Sequence, residues 1–363
     1  MGSITVSNYP NVLSPLEPDF NLFKVKVTSD YNIILHYVYD PDNQFDTEYA
    51  FLNDPLLDSN TLVVFWHPVE MGTWSLELVD KFNLALANKP FKSVYLTGCT
   101  SRLDLHNHYD IKFNYRFFPV FDIRASNLWM DKSAEITIDK NKKFTCLAAK
   151  DEDHRRYIFA QIVKYNLLGQ GNVSYKCTNW GFNKTPDNFR WHRGQGFTTD
   201  QLTYIKETNQ SVLSIIPIHL DQKSVANGLP RETFLDSYIS IIGETDFINV
   251  PFGHRRSFVT EKTFNAIANN QMFIVVGHAY SLQVLRDLGY QTFEDVIDES
   301  YDLIEHNGDR LLKVSEIIIN YLNRPIKDIK ADYIKVQDKI KANRDLLYAQ
   351  NLDQRLQAVI DSV

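Results

Sequence analysis

The stretch Tyr238-Ile239-Ser240-Ile241-Ile242-Gly243-Glu244, taken together with the residues up to Gly277, decides how this chain folds. Its nearly continuous apolar run reads as a strand. A polar loop ending His254-Arg255-Arg256-Ser257-Phe258 comes next, then Val259-Thr260-Glu261-Lys262. A helix-like run from Thr263 to Asn270 leads into a second strand, Met272 to Val276, closed by Gly277. The block gathers a carboxylate, a lysine and paired arginines around one helix entrance, where aligned backbone N–H groups favour an anion. Arginine and lysine add charge-assisted hydrogen bonds suited to phosphate, and Glu261 can accept from sugar hydroxyls. Chemically, that is a seat for a nucleotide sugar.

An earlier segment has the same logic. Lys142-Lys143-Phe144-Thr145-Cys146-Leu147-Ala148-Ala149 is a short apolar strand that breaks at Lys150-Asp151-Glu152-Asp153-His154-Arg155-Arg156. Helical spacing resumes through Tyr157, Ile158, Ile162 and Val163. A strand, a polar loop and a helix start form the opening βα unit of a nucleotide-binding domain. The plain alternative is a solvated charged loop.

The same residues carry a family likeness. Phe258-Val259-Thr260-Glu261-Lys262, an apolar helix and the strand Phe273-Ile274-Val275-Val276-Gly277 resemble the donor-site motif of the α-1,3-fucosyltransferases and their viral and bacterial relatives. Ser240 to Glu244 is similar to that family's strand ending in glutamate, with Gly243-Glu244-Thr245 in place of Phe-Glu-Asn. Asn269-Asn270-Gln271 stands where the family has an Ala-Gly turn. The strand and loop at 142–156 resemble the opening of the C-terminal domain in viral glycosyltransferases, with Ala148-Ala149-Lys150 replacing its Asn and Arg. The resemblance runs over residues 140–302. It implies an α/β protein with two Rossmann-like domains of the GT-B type and C-terminal helices, its second domain holding a nucleoside-diphosphate sugar. On that resemblance Lys262 contacts the diphosphate and Glu261 the ribose or sugar hydroxyls. Arg155 or Arg156 contacts the diphosphate, and Thr260 and Glu244 belong to the same donor site. Arg255 and Arg256 are either a clamp that orders over phosphate or a solvated loop.

The N-terminal half has strand-like runs at Phe23 to Val27 and Ile33 to Tyr39. Thr61 to Trp66 is continuously apolar, as in a buried parallel strand. Trp74 to Ala87 has helical spacing and Ser93 to Gly98 gives another strand, so this half also reads as βαβ. Ile111 to Val120 reads as a further strand, and the aromatic- and glycine-bearing stretch 173–196 as an irregular insertion. The expected organisation is an acceptor domain at 1–140, a donor domain at 141–310 and helices at 311–363 packing across both. Two helices are expected there, over 310–322 and 332–347, the latter with Tyr333, Val336, Ile340 and Leu347 on one stripe.

An inverting transfer needs a base for the acceptor hydroxyl. Glu70 and His67 come after the buried strand ending at Trp66, where parallel sheets bind ligands, and Asp104 comes after the next strand. Asp40-Pro41-Asp42 and Asp151-Glu152-Asp153 match the Asp-x-Asp string that holds a divalent ion in other glycosyltransferases, and His106-x-His108 has ligand spacing. In the two-Rossmann fold cations neutralise the leaving diphosphate instead, so no obligatory metal or other cofactor is expected.

Composition sets the bounds. The chain of 363 residues suits two domains, and 44% hydrophobic with 23% charged residues is ordinary globular chemistry. A net charge of −7 weighs against broad nucleic-acid binding but leaves room for a local basic cleft. No apolar run reaches the roughly 20 residues of a membrane span. The first residues lack the basic and apolar regions of a signal peptide, and Val6 breaks a myristoylation pattern. Three scattered cysteines favour a reducing compartment, so the expected location is the cytoplasm, that of a host if the AT-rich compositional bias marks a viral gene. The expected partners are the nucleotide sugar and an acceptor, either a glycan or a hydroxymethylated base in phage DNA. A non-catalytic nucleotide- or sugar-binding module is the competing class.

Overall fold

The structure is a computed structural model describing residues 4–7, 31–37, 50–67, 76–97, 110–118, 122, 136–175, 196–216, 218, 231–248 and 259–363. The chain divides into two compact units, Met1–Ile123 with Gln350–Val363, and Arg124–Ala349. Each is α/β around a parallel sheet.

The first unit carries five strands adjacent in sequence order: β1 (Ile4–Ser7), β2 (Asn32–Tyr37), β3 (Thr61–His67), β4 (Lys92–Thr97) and β5 (Tyr115–Phe117). All four pairings are parallel. Right-handed crossovers repeated in one direction put their connections on one face of a sheet. Helix α1 (Leu76–Leu86), between β3 and β4, takes such a face. Its Val79 and Phe82 pack with Val63, Phe65 and Tyr95, and the Phe82 ring meets Tyr95 edge-on at 5.0 Å. Alternation sends Leu62 and Val64 the other way. There they join Ile33, Val94 and Leu96 under Leu356 and Ile360 of the final helix, Leu352–Asp361. That helix supplies the second layer, and burying each of the two side chains stabilises by about 1.5–3 kcal/mol. Its Arg355 grips the buried Asp122, Nη1 to Oδ1 at 3.1 Å and Nη2 to Oδ2 at 2.5 Å.

The second unit runs β6 (Lys142–Ala148), α2 (Asp153–Lys164), β7 (Gly171–Tyr175), α3 (Thr199–Gln210), α4 (Arg231–Leu235), β8 (Ser237–Gly243), α5 (Glu261–Ala268), β9 (Met272–Val276), α6 (Ser281–Asp287), α7 (Asn307–Leu322), α8 (Ile326–Lys335) and α9 (Gln337–Ala349). Its four-stranded sheet has the order β7-β6-β8-β9, parallel throughout. From β6 the chain moves one way through α2, and from β8 the other way through α5. Right-handed crossovers in opposite directions place those helices on opposite faces. Helices α3 and α7 pack on α2, and α9 packs on α5. Every residue of β9 and all of β8 but Gly243 are buried, which is why both read as unbroken apolar runs.

Several expectations change in detail. Residues 171–175, partly assigned to an irregular insertion, form the edge strand β7, paired with β6 from Phe144↔Gly171 to Ala148↔Tyr175. The single helix expected over 332–347 is two, broken at Val336 (φ −103°, ψ 14°), although Tyr333, Val336, Ile340 and Leu347 are all buried as their stripe requires. Helices α7 to α9 belong to the second unit, and the final helix to the first. The strand read at 23–27, Asp104, His106, His108 and the Asp40-Pro41-Asp42 string lie outside the described residues.

Candidate functional site

In an open parallel sheet the ligand crevice lies beyond the carboxyl ends of the strands, where successive connections leave in opposite directions. In the second unit that point is between β6 and β8, and the residues there are 149–155 and 243–248. A narrow crevice at this end is lined by Cys146, Ala148, Arg155, Tyr175, Gly243 and Val276. Burial pushes the Cys146 thiol up to about 12 against the neighbouring Arg155 charge, which disfavours the thiolate.

The helix entrance that the sequence marks as an anion seat is capped by the chain's own carboxylate. Glu244 is fully buried and points into the start of α5. Its Oε1 accepts from Thr260 N at 3.0 Å and Thr263 Oγ1 at 2.8 Å, and its Oε2 accepts from Thr260 Oγ1 at 2.6 Å. Thr260 is the N-cap, its Oγ1 accepting from Lys262 N at 3.4 Å. Glu244 is therefore held as a cap, and Thr260 joins it to α5. Asn270 ends the turn after α5 with φ 57°, taking the left-handed role that glycine otherwise fills.

Lys262 reaches back over this entrance to the end of β8. Its Nζ donates to Thr245 Oγ1 at 2.9 Å and Thr260 Oγ1 at 3.0 Å, and lies 3.2 Å from Glu261 Oε1. The Lys262 and Glu261 side chains are both partly exposed, 29% and 28%. These two of the expected donor residues thus lie together at the sheet's carboxyl edge, and neither lines the crevice, whose walls include Ile158 and Phe159 of α2.

The arginines are engaged differently. Arg155 is buried, donating through Nε to Gly243 O at 3.1 Å and through Nη2 to Glu244 O at 2.7 Å. It ties α2 to the end of β8, and a Cβ on residue 243 would lie 2.6 Å from its Cγ, so this approach requires a glycine there. Arg156 makes a two-pronged pair with Asp151, which also accepts from the Tyr175 hydroxyl. Asp151 is thereby occupied within the loop after β6, and Asp153 is buried in the first turn of α2.

Asp246, Phe247, His278 and Arg310 had no functional reading in the sequence, and nothing there marked the partner of His154. Glu244 O also accepts from His154 Nε2 at 2.9 Å, and burial together with the Arg155 charge pushes His154 down to about 3, leaving it neutral. The His154 ring stacks on Phe247 at 5.3 Å, and the Arg310 guanidinium covers Phe247 at 4.5 Å. Arg310 donates to Gly277 O, Phe247 O, Ile304 O, Glu305 O and Asn307 Oδ1. One buried guanidinium so joins the ends of β8 and β9 to the start of α7. Asp246 Oδ1 accepts from the N–H of Phe247 at 2.9 Å, and the buried His278 lies 3.4 Å from its Oδ2. Its place two residues beyond Glu244 is a signal the sequence does contain; nothing local to Arg310 marks its reach.

His67 is the last residue of β3, and Glu70, Arg255 and Arg256 lie outside the described residues. Among the described residues no group of three or more His, Cys, Asp or Glu side chains is placed to hold a metal ion, and no helix is long and apolar enough to cross a membrane. No family model matches the chain, and a search of curated proteins finds no match.

Proposed function

We propose that this chain is a glycosyltransferase of the GT-B type, moving a sugar from a nucleoside-diphosphate donor to an acceptor hydroxyl with inversion. The observation that carries this reading is the Lys262 ammonium, poised at the carboxyl end of β8 beside the switch point and held by Thr245 and Thr260. A cation at such a strand end suits a diphosphate leaving group, because it stabilises the negative charge that develops as the bond to the sugar breaks. In the transfer, the acceptor oxygen bonds to the sugar's anomeric carbon as its proton passes to a base. The bond from that carbon to the diphosphate breaks, and the nucleoside diphosphate leaves with the electron pair. Lys262, with Glu261 beside it, serves the donor; the base belongs to the first unit, with Glu70 and His67 as candidates. The acceptor is a glycan or a hydroxymethylated base in DNA, and the place of action is the cytoplasm.

Donor turnover tests this. The protein is incubated with the common nucleoside-diphosphate sugars, with and without a hydroxyl acceptor mixture, and release of nucleoside diphosphate is monitored. Release from one donor, suppressed at least about tenfold by Lys262→Ala and separately by Glu70→Gln or His67→Ala, is the expected result. Tight donor binding without release, in every acceptor mixture, overturns catalysis and leaves a binding module.

A further inference from the structure

Arg310, in the first turn of α7, is among the largest side chains that the fold buries completely. A guanidinium carries five N–H donors in a rigid planar fork, and each one here has a partner. Nε donates to Gly277 O at 3.1 Å, and Nη1 to Ile304 O at 2.8 Å and Glu305 O at 3.1 Å. Nη2 donates to Phe247 O and to Asn307 Oδ1, both at 2.6 Å. All five acceptors are neutral oxygens. The charges of Asp302 and Glu305 act on the guanidinium without a hydrogen bond, and burial outweighs them. A buried cation with no carboxylate bonded to it is costly, and an apolar side chain of similar volume would avoid that cost. What Arg310 holds in return is the carboxyl edge of the second sheet. Gly277 follows β9, Phe247 lies in the loop after β8, and residues 304–307 lead into α7.

The loop after β8 is also the one on which Lys262 leans, since Thr245 Oγ1 accepts from Lys262 Nζ at 2.9 Å. Two residues on, the Phe247 ring stacks on His154 and lies 4.5 Å from the Arg310 guanidinium, which binds the Phe247 carbonyl as well. We propose that Arg310 is a positioning residue for Lys262: by fixing the backbone and ring of Phe247 it holds Thr245 where the ammonium can meet the donor's diphosphate. This rests on the donor-site reading and goes beyond it by giving a role to a residue that does not itself touch the donor. The role needs the fork and not the charge alone. Lysine keeps the charge but offers three donors to five acceptors, so at least two buried oxygens would be left unmatched.

The test compares wild type with Arg310→Lys, Arg310→Gln and Phe247→Leu, each also combined with Lys262→Ala. Phe247→Leu keeps an apolar side chain but removes the ring from Arg310, so it carries the comparison where neither Arg310 variant folds. Two quantities are measured: hydrogen–deuterium exchange of peptides spanning 244–248 without ligand, and calorimetric affinity for GDP, UDP, CDP, dTDP and ADP. The expected result is exchange about tenfold faster over 244–248 and nucleoside-diphosphate affinity about tenfold weaker in Arg310→Lys and Phe247→Leu. In the Lys262→Ala background the same substitutions should cause no further loss of affinity, as for residues that act as a unit. Losses that add to that of Lys262→Ala, or affinities within about twofold of wild type, overturn the positioning role and leave the donor site standing. Unchanged exchange over 244–248 overturns it too. Absence of binding by folded wild type to every nucleoside diphosphate overturns the donor-site reading and this role with it.

Discussion

Replacing Glu244 separates the two roles a carboxylate at the end of β8 can have, holding the chain or holding a ligand. Glu244→Ala removes an acceptor from three donors, Thr260 N, Thr260 Oγ1 and Thr263 Oγ1, all on fully buried residues. Hydroxyls can turn toward other acceptors, whereas the Thr260 amide cannot. A lost bond to a charged group is worth about 1.5–3 kcal/mol, and a buried group left unmatched costs about 1–3 kcal/mol. With partial relief at the two hydroxyls, the expected loss is about 3–5 kcal/mol, the size of a broken buried charge interaction. Glu244→Gln keeps one oxygen for Thr260 N and Thr263 Oγ1, and its loss should stay near 1–2 kcal/mol. The assay is urea unfolding monitored by tryptophan fluorescence and circular dichroism, fitted for each unit's transition, with no ligand present. At roughly 2–4 °C per kcal/mol for a unit of about 200 residues, the alanine variant should also melt about 6–20 °C lower. Equal, small effects of Ala and Gln without ligand would refute the capping role and return Glu244 to the ligand.

Other outcomes rest on the packing and the buried charges. Gly171→Ala should cost about 1–3 kcal/mol in a denaturant titration, because the new Cβ lies 2.5 Å from carbons of the buried Phe144 ring; an unchanged midpoint would mean that the β6–β7 register is wrong. Leu356→Ala and Ile360→Ala should each cost about 2–4 kcal/mol in the first unit's transition, as they cover one face of its sheet; no effect on that transition would detach the final helix from it. The pH profile carries two opposed contributions. His154, held down at about 3, is neutral in the fold, so its contribution is complete above about pH 6.5 and is lost as pH falls toward 3. Burial raises Asp302 to about 6 against bonds from the Leu282 and Gln283 N–H groups, so between about pH 4 and 6 it favours the fold more as pH falls. Each slope is about 1.4 kcal/mol per pH unit at most, so they offset each other in that window. Asp302→Asn should expose the His154 slope as stability that falls steadily from pH 6 to 4, and a profile as flat as wild type would contradict a neutral, buried His154.

Much of the fold is legible in the sequence for one physical reason. Strands covered on both faces, such as β3, β8 and β9, are near-continuous apolar runs that no solvated segment imitates. Edge strand β7 hides from the same reasoning because Gly171-Asn172-Val173-Ser174-Tyr175 holds too few apolar residues to make a run. The break at Val336 hides too, since a stripe of apolar residues has the same spacing whether one helix or two present it.

At the site, the sequence marks the entrance of α5 and the proximity of Lys262 to it, because both are local to Thr260-Glu261-Lys262. It does not mark where Glu244 points, since the partners of that carboxylate are 16 and 19 residues away. Arginine next to a helix start reads equally as a phosphate ligand or as a clamp. Only the fold shows that Arg155 donates to the carbonyls of Gly243 and Glu244. Arg310 is more distant still, 63 residues from Phe247, whose carbonyl it binds.

The most direct test of the donor site is a thermal-shift panel of GDP, UDP, CDP, dTDP and ADP with their common sugar conjugates, on wild type and Lys262→Ala. A ligand at about 100 times its dissociation constant stabilises the native state by about 2.7 kcal/mol, a shift of several degrees. Such a shift is expected for one base, lost in Lys262→Ala while that variant's own melting point stays near wild type. No shift with any nucleotide in well-folded wild type, or a shift that Lys262→Ala leaves intact, would contradict it.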